Sequence, residues 1–244
     1  MKFLVLLSSM PFESEMVFSR MKNVRTSEIG GKKYYKGRLG DLDLLVSNTG
    51  IGKVNAAHSA TCIAERFPVR GIINIGVGGA CPGSGLKVGD IAVASKEIYG
   101  DEGVTLSRGW KDMREIGIPV VKVGNRKYFN EFPVDRAFST KVINALTGHR
   151  SLVTKSGPFV TVSSTSGTSP RAAELGKRFK KAICENMEGA AIAQVCIIYK
   201  IPMLEIRGIS NIAGVRDKRR WGLKLASENC QKALLTSLAV INIV

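Results

Sequence analysis

The sequence predicts an α/β fold: one domain with a mixed, largely central β-sheet. Three observations carry that reading. Apolar runs of strand length alternate with helix-periodic segments along the chain. Some of those runs end in glycine clusters, as GIINIGVGGA (71–80) does. The 244 residues contain no internal repeat, low-complexity tract or obvious linker, so residues 1–244 read as one unit with a sizeable core.

The elements follow in order. In MKFLVLLSSMPFE, Phe3 to Leu7 reads as a buried first strand rather than a signal peptide, because no convincing small-residue cleavage site follows. Glu13 to Met21 reads as a helix, with Met16, Val17 and Met21 on its apolar face. Tyr34 to Leu39 and Leu42 to Ser47 form a hairpin about Gly40-Asp41. The glycines of SNTGIGKVNAA open a loop, and Val54 to Phe67 reads as a helix rich in small residues. Gly71 to Ala80 is a buried strand, and LKVGDIAVASKEIYGDEGV is a turn at Gly89-Asp90 followed by a strand. Residues 105–135 are poorly periodic, contain Pro119 and Pro133, and read as an irregular excursion. PFVTVSSTSG is a strand entering a Ser/Thr-rich loop, and ENMEGAAIAQVCIIYK reads as the start of a long helix. MLEIRGIS (203–210) is the last core strand, and the chain closes with a helix from Gly222.

Composition narrows the function classes. Hydrophobic residues make up 44% and charged residues 23%, ordinary for a globular protein. No apolar stretch reaches the roughly 18 to 20 residues of a membrane span. Cys62, Cys81, Cys184, Cys196 and Cys230 show no metal-ligand spacing and read as reduced core thiols of a cytoplasmic protein. The net charge of +16 is concentrated in GKRFKK (176–181) and RDKRRW (216–221) but otherwise spread. No nucleic-acid-binding motif accompanies it, so a basic solvated surface is the preferred reading over RNA binding. TGIGKVNAA lacks full P-loop spacing, and GVGGACPG is not a dinucleotide fingerprint. Their glycines do suit a small-molecule pocket. His58 and His149 sit in no motif, and Asp90 suits a turn.

SNTGIGKVNAA, INIGVGGA, LKVGDI, ENMEGAAIAQV and IRGIS occur in this order. Together they resemble the nucleoside phosphorylase and nucleosidase superfamily, over nearly the whole chain. ENMEGAAIA with the Ser210-Asn211 pair is the most diagnostic part. EIYGDEGV (97–104), FVTVSSTSGT (159–168) and ISNIAGVRDKRRW (209–221) are similar to segments of the futalosine hydrolases. The resemblance implies a three-layer α/β/α sandwich with a central mixed sheet. It also implies cleavage of the N-glycosidic bond of a purine nucleoside, in the futalosine route to menaquinone. No metal or organic cofactor is implied. A homo-oligomer is expected, most simply a dimer, with a neighbouring subunit able to complete the pocket.

The same resemblance implies roles for particular residues. Glu188 in NMEG would hydrogen-bond the ribose hydroxyls and favour a cationic sugar, with Met187 packing on the ribose. Glu13 would hold and deprotonate the attacking water. Glu15, two residues on, is the competing alignment. Val77, Gly78, Val104, Ser164, Thr165 and Ser210 would contact substrate.

Asn211 stands where related methylthioadenosine nucleosidases carry aspartate. A carboxylate can accept from the amino group of adenine, but it opposes the carbonyl oxygen of hypoxanthine. An amide can donate to that oxygen and accept from a protonated N7, so Asn211 points to a 6-oxopurine. In RDKRRW, Arg216 is the first candidate to bind a carboxylate beyond the 5′ carbon, beside Arg219, Arg220 and Trp221. The rival readings are a purine nucleoside phosphorylase, a methylthioadenosine/S-adenosylhomocysteine nucleosidase, and a non-catalytic nucleoside- or RNA-binding protein. The first loop, SSMPFESE, offers no arginine for phosphate, which favours water as nucleophile.

Overall fold

Strand β1 (Phe3–Ser8) turns alternate side chains to two cores, and that alternation organises the computed structural model, which describes residues 2–148 and 152–241. Leu4 and Leu6 belong to one hydrophobic cluster, and Val5 and Leu7 to the other. A strand paired on both edges and covered on both faces needs such an unbroken apolar run. β1 is followed by a 3-10 turn (Pro11–Glu13) and a single helical turn, α1 (Glu15–Phe18). The expected helix from Glu13 to Met21 is therefore much shorter, because Ser14 (φ −129°, ψ 2°) leaves helical geometry between the two pieces. Val17 and Met21 are nonetheless buried in the first cluster.

β2 (Lys22–Ile29), β3 (Lys32–Leu39) and β4 (Leu42–Asn48) form an antiparallel meander. β2 is mostly exposed, so no alternating apolar pattern announced it. α2 (Lys53–Arg66) lays Ala56, Ala60 and Ile63 on the second cluster. β5 (Val69–Ala80) and β6 (Ile91–Tyr99) are long sheet strands. The stretch expected to be irregular instead contains two small hairpins. They are β7 (Gly103–Leu106) with β8 (Gly109–Asp112), and β9 (Val121–Val123) with β10 (Arg126–Tyr128). β11 (Glu131–Pro133) then pairs on the edge of β6.

α3 (Arg136–Leu146) follows, then β12 (Thr154–Thr161), α4 (Ser169–Arg178) and β13 (Cys184–Asn186). α5 (Gly189–Tyr199), β14 (Met203–Ile212), a 3-10 turn (Lys218–Arg220) and α6 (Leu223–Ile241) complete the order. Neither α3 nor α4 was anticipated, although both carry capping residues. Asp135 accepts from the Phe138 N–H at 2.9 Å. Thr168 accepts from the Arg171 N–H at 3.4 Å, and a proline lies in the first turn of α4. His149 lies outside the described residues, as do residues 242–244 at the end of the expected closing helix.

The main sheet runs β11-β6-β12-β13-β5-β1-β4-β3-β2. β14 pairs with β5 in parallel and with β6 antiparallel. This second pairing closes β5, β14, β6, β12 and β13 into a barrel. The mixed central sheet matches the expectation, but a flat middle layer of a three-layer sandwich does not describe it. The half from β6 to β5 curls on itself because β14 finds partners on both edges. α3 and α6 pack on the first cluster, α2 and α5 on the second. No described helix is long and apolar enough to cross a membrane.

Candidate active site

A cavity of about 450 Å³ opens at the carboxyl ends of β1, β5 and β14, where open α/β sheets place ligands. Four segments bring carboxylates or a cation to it: the turn after β1, the β13–α5 junction, β14 and the loop that follows β14.

Glu188 occupies the N-cap position of α5, so the helix begins one residue after it rather than at ENM. An N-cap side chain ordinarily accepts from the helix's first free N–H groups. Here other residues take that task. Asn186 Oδ1 accepts from the Glu188 and Gly189 N–H groups at 3.0 and 2.8 Å. Thr161 Oγ1 accepts from the Ala190 N–H at 2.8 Å. The Glu188 carboxylate is thereby released to the cavity. Its Oε1 accepts from the Gly52 N–H at 2.9 Å, and its Oε2 lies 3.2 Å from Arg207 Nη2. The glycine loop before α2 thus holds a carboxylate of the protein.

Glu13 is only 3% exposed, and both its oxygens are held by backbone. Oε2 accepts from the Met10 N–H at 2.8 Å and Oε1 from the Val77 N–H at 2.9 Å. Burial pushes its pKa above the ordinary carboxylate value. Arg207 and the two N–H bonds pull it back, and the Glu188 charge raises it again. Glu15, by contrast, is exposed and faces other grooves, beside Phe12 and Met16. The strand-end glycines make this crowding possible. A Cβ at Gly76 would lie 2.7 Å from Glu13 Oε1 and 2.7 Å from Arg207 Nη1.

Arg207 is 1% exposed and sits among the acids. Its Nε donates to Glu205 at 2.8 Å, Nη1 to the Val77 carbonyl at 3.2 Å and Nη2 to Glu188 at 3.2 Å. Burial works against its charge, but Glu205, Glu188 and Glu13 outweigh that, and its pKa is raised. The guanidinium is therefore a fixed cation bridging the carboxylates.

At another part of the wall, a register shift in β14 falls between Ile209 and Asn211. Such bulges re-aim side chains. Ser210 Oγ lies within hydrogen-bond reach of the Gly78 carbonyl (3.2 Å) and Asn211 Oδ1 (2.9 Å). Its single proton serves one of them. Asn211 Nδ2 donates one N–H to the Ile212 carbonyl at 3.2 Å, which leaves its second N–H and a lone pair on Oδ1 for a ligand. Glu185 closes this region, accepting from the Ser166 N–H at 2.7 Å and Oγ at 2.6 Å. At the mouth, the Arg216 guanidinium carbon lies 5.1 Å from the Trp221 ring centroid. The Trp221 indole N–H donates to the Val215 carbonyl at 3.2 Å. Arg219 instead pairs with Asp217 at 3.0 Å.

Of the residues picked from sequence, Glu13, Glu188, Asn211, Met187, Ser210, Val77, Gly78, Thr165 and Arg216 line this one cavity. Ser164 and Val104 do not. Ser164 is exposed beyond the end of β12, and Val104 lies on the β7–β8 hairpin. Arg207, Glu185, Asn186 and Ser166 line the cavity without having been assigned a role. Arg207 had one available signal, a cation inside an apolar strand, which demands a buried partner.

Residues 4–242 match the family model of the phosphorylase superfamily. The chain is 35% identical over 191 residues to a futalosine hydrolase of Thermus thermophilus, covering 78% of this chain and 79% of that one. It is 31% identical over 208 residues to a 5′-methylthioadenosine/S-adenosylhomocysteine nucleosidase of Staphylococcus saprophyticus, covering 85% and 86%. Among solved structures it is similar to the nucleosidase of that name from Neisseria meningitidis in complex with methylthio-immucillin-A. There the TM-score is 0.85 at 26% identity, covering 98% of this chain and 100% of that one.

Proposed function

The chain belongs to the phosphorylase superfamily, and from that premise we propose that it is a nucleosidase that hydrolyses futalosine to hypoxanthine and the dehypoxanthinyl sugar. One observation carries the hydrolytic reading: two buried carboxylates, Glu13 and Glu188, share a cavity, with Arg207 bonded to Glu188 and its charge acting on Glu13. As the C1′–N9 bond breaks, the ribose becomes oxocarbenium-like. Glu188 faces that positive charge and accepts from ribose hydroxyls, with Met187 against the sugar. Water adds its oxygen to C1′ and gives a proton to Glu13. Solvent supplies the proton that the base carries away on N7 beside Asn211, and Glu13 returns the water's proton to solvent, so the protons balance. A phosphate dianion would meet both carboxylates, and Arg207 is already committed to Glu188 and Glu205. This favours water over phosphate. The exposed apolar side chains of Ile51, which lines the cavity, and of Val54, in the first turn of α2, support a homodimer whose second subunit covers them.

The residue at 211 favours futalosine over methylthioadenosine. Incubating pure protein with futalosine, aminofutalosine, methylthioadenosine and inosine, the last with and without phosphate, and measuring free base tests this directly. Futalosine should be cleaved fastest. Faster release of adenine from methylthioadenosine would replace this reading with that of the Staphylococcus relative. Phosphate-dependent cleavage of inosine would make the protein a phosphorylase.

Asn211→Asp should shift preference toward the adenine nucleosides. A mispaired buried polar group costs about 1–3 kcal/mol, so the futalosine-to-aminofutalosine ratio of kcat/KM should fall by about tenfold or more. An unchanged ratio removes Asn211 as the reader of the base.

Arg216, stacked on Trp221 at the mouth, is our candidate for the carboxylate that futalosine carries beyond its 5′ carbon. Among the described residues it has no carboxylate partner of its own. Arg216→Ala should raise KM for futalosine by about tenfold, the loss of one charge-assisted hydrogen bond, and barely alter inosine cleavage. Equal changes on both substrates would rule out this role.

A further inference from the structure

Beneath the cavity lies a second pair of carboxyls that the proposed chemistry does not use. Glu97 on β6 and Glu205 on β14 are both completely buried. They meet under the first residue of α5. A Cβ at Gly189 would clash with Glu205 Oε2 and lie 2.6 Å from Glu97 Oε1, so these two oxygens flank the same point. Glu205 spends Oε1 on Arg207, while its Oε2 is buried without a hydrogen-bond partner. Glu97 Oε2 accepts from Thr161 Oγ1 at 2.8 Å and from Asn186 Nδ2 at 3.3 Å.

Two neighbouring carboxylates in a dry interior do not both ionise. A proton on Glu97 Oε1 gives the orphaned Glu205 Oε2 its missing donor and leaves Glu205 charged against Arg207. Burial first, then the charge of Glu205, holds the Glu97 carboxyl well above the ordinary carboxylate range. The Thr161 bond and Arg207 oppose that shift without cancelling it. The other groups around the pair do not supply a cation. Cys184 and Tyr99 are both shifted toward their neutral forms, primarily by burial. Glu188 meets Arg207 at Nη2, and Glu13 approaches Nη1 beside Gly76, whereas Glu205 holds Nε.

We propose that Glu97 and Glu205 share one proton, and that this pair positions Arg207 and, through it, Glu188 and Glu13. Glu205 fixes the guanidinium through Nε, which directs Nη2 to Glu188 and Nη1 to the Val77 carbonyl. Ionised Glu97 would add a negative charge beside Glu205 and draw Arg207 away from the site. The neutral acid prevents this while satisfying its neighbour. The positioning role rests on the nucleosidase reading, but the shared proton does not.

Infrared difference spectra of wild type and Glu97→Gln at neutral pH test the proton. Wild type should show a protonated-carboxyl stretching band, shifted by deuterium exchange, that is missing from the variant. Stability against pH gives a second readout. Folded Glu97 keeps a proton that the unfolded chain releases. Its stabilisation is therefore complete below the ordinary carboxylate pKa and is lost as pH rises toward the folded value. Glu97→Gln has no such loss, so its stability relative to wild type should increase with pH over that window. Identical spectra in the carboxyl region, or a stability difference independent of pH, would overturn the shared proton. Neither readout needs substrate, so both stand even if another nucleoside proves to be hydrolysed.

Glu205→Gln and Arg207→Lys break the same contact from opposite sides. Each should lower kcat on futalosine about tenfold or more while KM changes by less than about twofold, the signature of an effect on the transition state. Unchanged kcat in either folded variant would overturn the positioning role.

Discussion

Under the proposed futalosine reaction, Glu188→Gln should lower kcat by about 10²–10³-fold, the range for losing one preorganised contact to charge that develops in the transition state. The substitution keeps the shape of the side chain and an oxygen for the Gly52 N–H. It removes the charge that would face the oxocarbenium ion. The start of α5 survives, because Asn186 and Thr161 rather than Glu188 cap its free N–H groups. An NH₂ turned toward Arg207 Nη2 opposes donor to donor, so a stability loss of about 1–3 kcal/mol accompanies the kinetic one. Hypoxanthine release measured well below the variant's unfolding midpoint separates the two effects. Turnover near that of wild type would show that Glu188 does not stabilise the sugar cation.

The parts of this architecture that could be read from sequence are those encoded locally. β1, β5 and β14 are buried, and their apolar runs are visible without knowledge of their neighbours. The barrel closure is different. It depends on β14 meeting β6 as well as β5, and no property of Met203 to Ile212 alone distinguishes one partner from two. β13 was hidden because three strand residues are separated by Met187 alone from an N-cap and an alanine-rich helix. The site residues in NMEG and after β1 were accessible through family resemblance. The buried charges between them were not. Glu205 stands two residues away on the same strand, but Arg207 acquires its meaning only when Glu188, from the start of α5, is brought to its other end. Glycines that suggested space for a ligand also make space for the protein's own groups. Gly76 accommodates Glu13 and Arg207, and Gly189 accommodates Glu97 and Glu205.

Glu13→Gln should reduce kcat by about 10²–10⁴-fold, the usual contribution of a positioned general base. The amide cannot take the water's proton, and its NH₂ must oppose either the Met10 or the Val77 N–H that the carboxylate now accepts. The pH profile tests the same assignment in wild type. Glu13 acts as a base only when ionised, so activity is present above its pKa and falls as pH drops through it. Because burial raises that pKa, the acid limb of kcat/KM should lie above the ordinary carboxylate value. The Arg207 charge does most to pull it back, so Arg207→Ala should move the limb further toward neutral pH. Glu15→Gln provides the internal comparison: its side chain is exposed outside the cavity and should leave both rate and profile near wild type. An acid limb unmoved by Arg207→Ala, or an inactive Glu15→Gln beside an active Glu13→Gln, would assign the water to a different base.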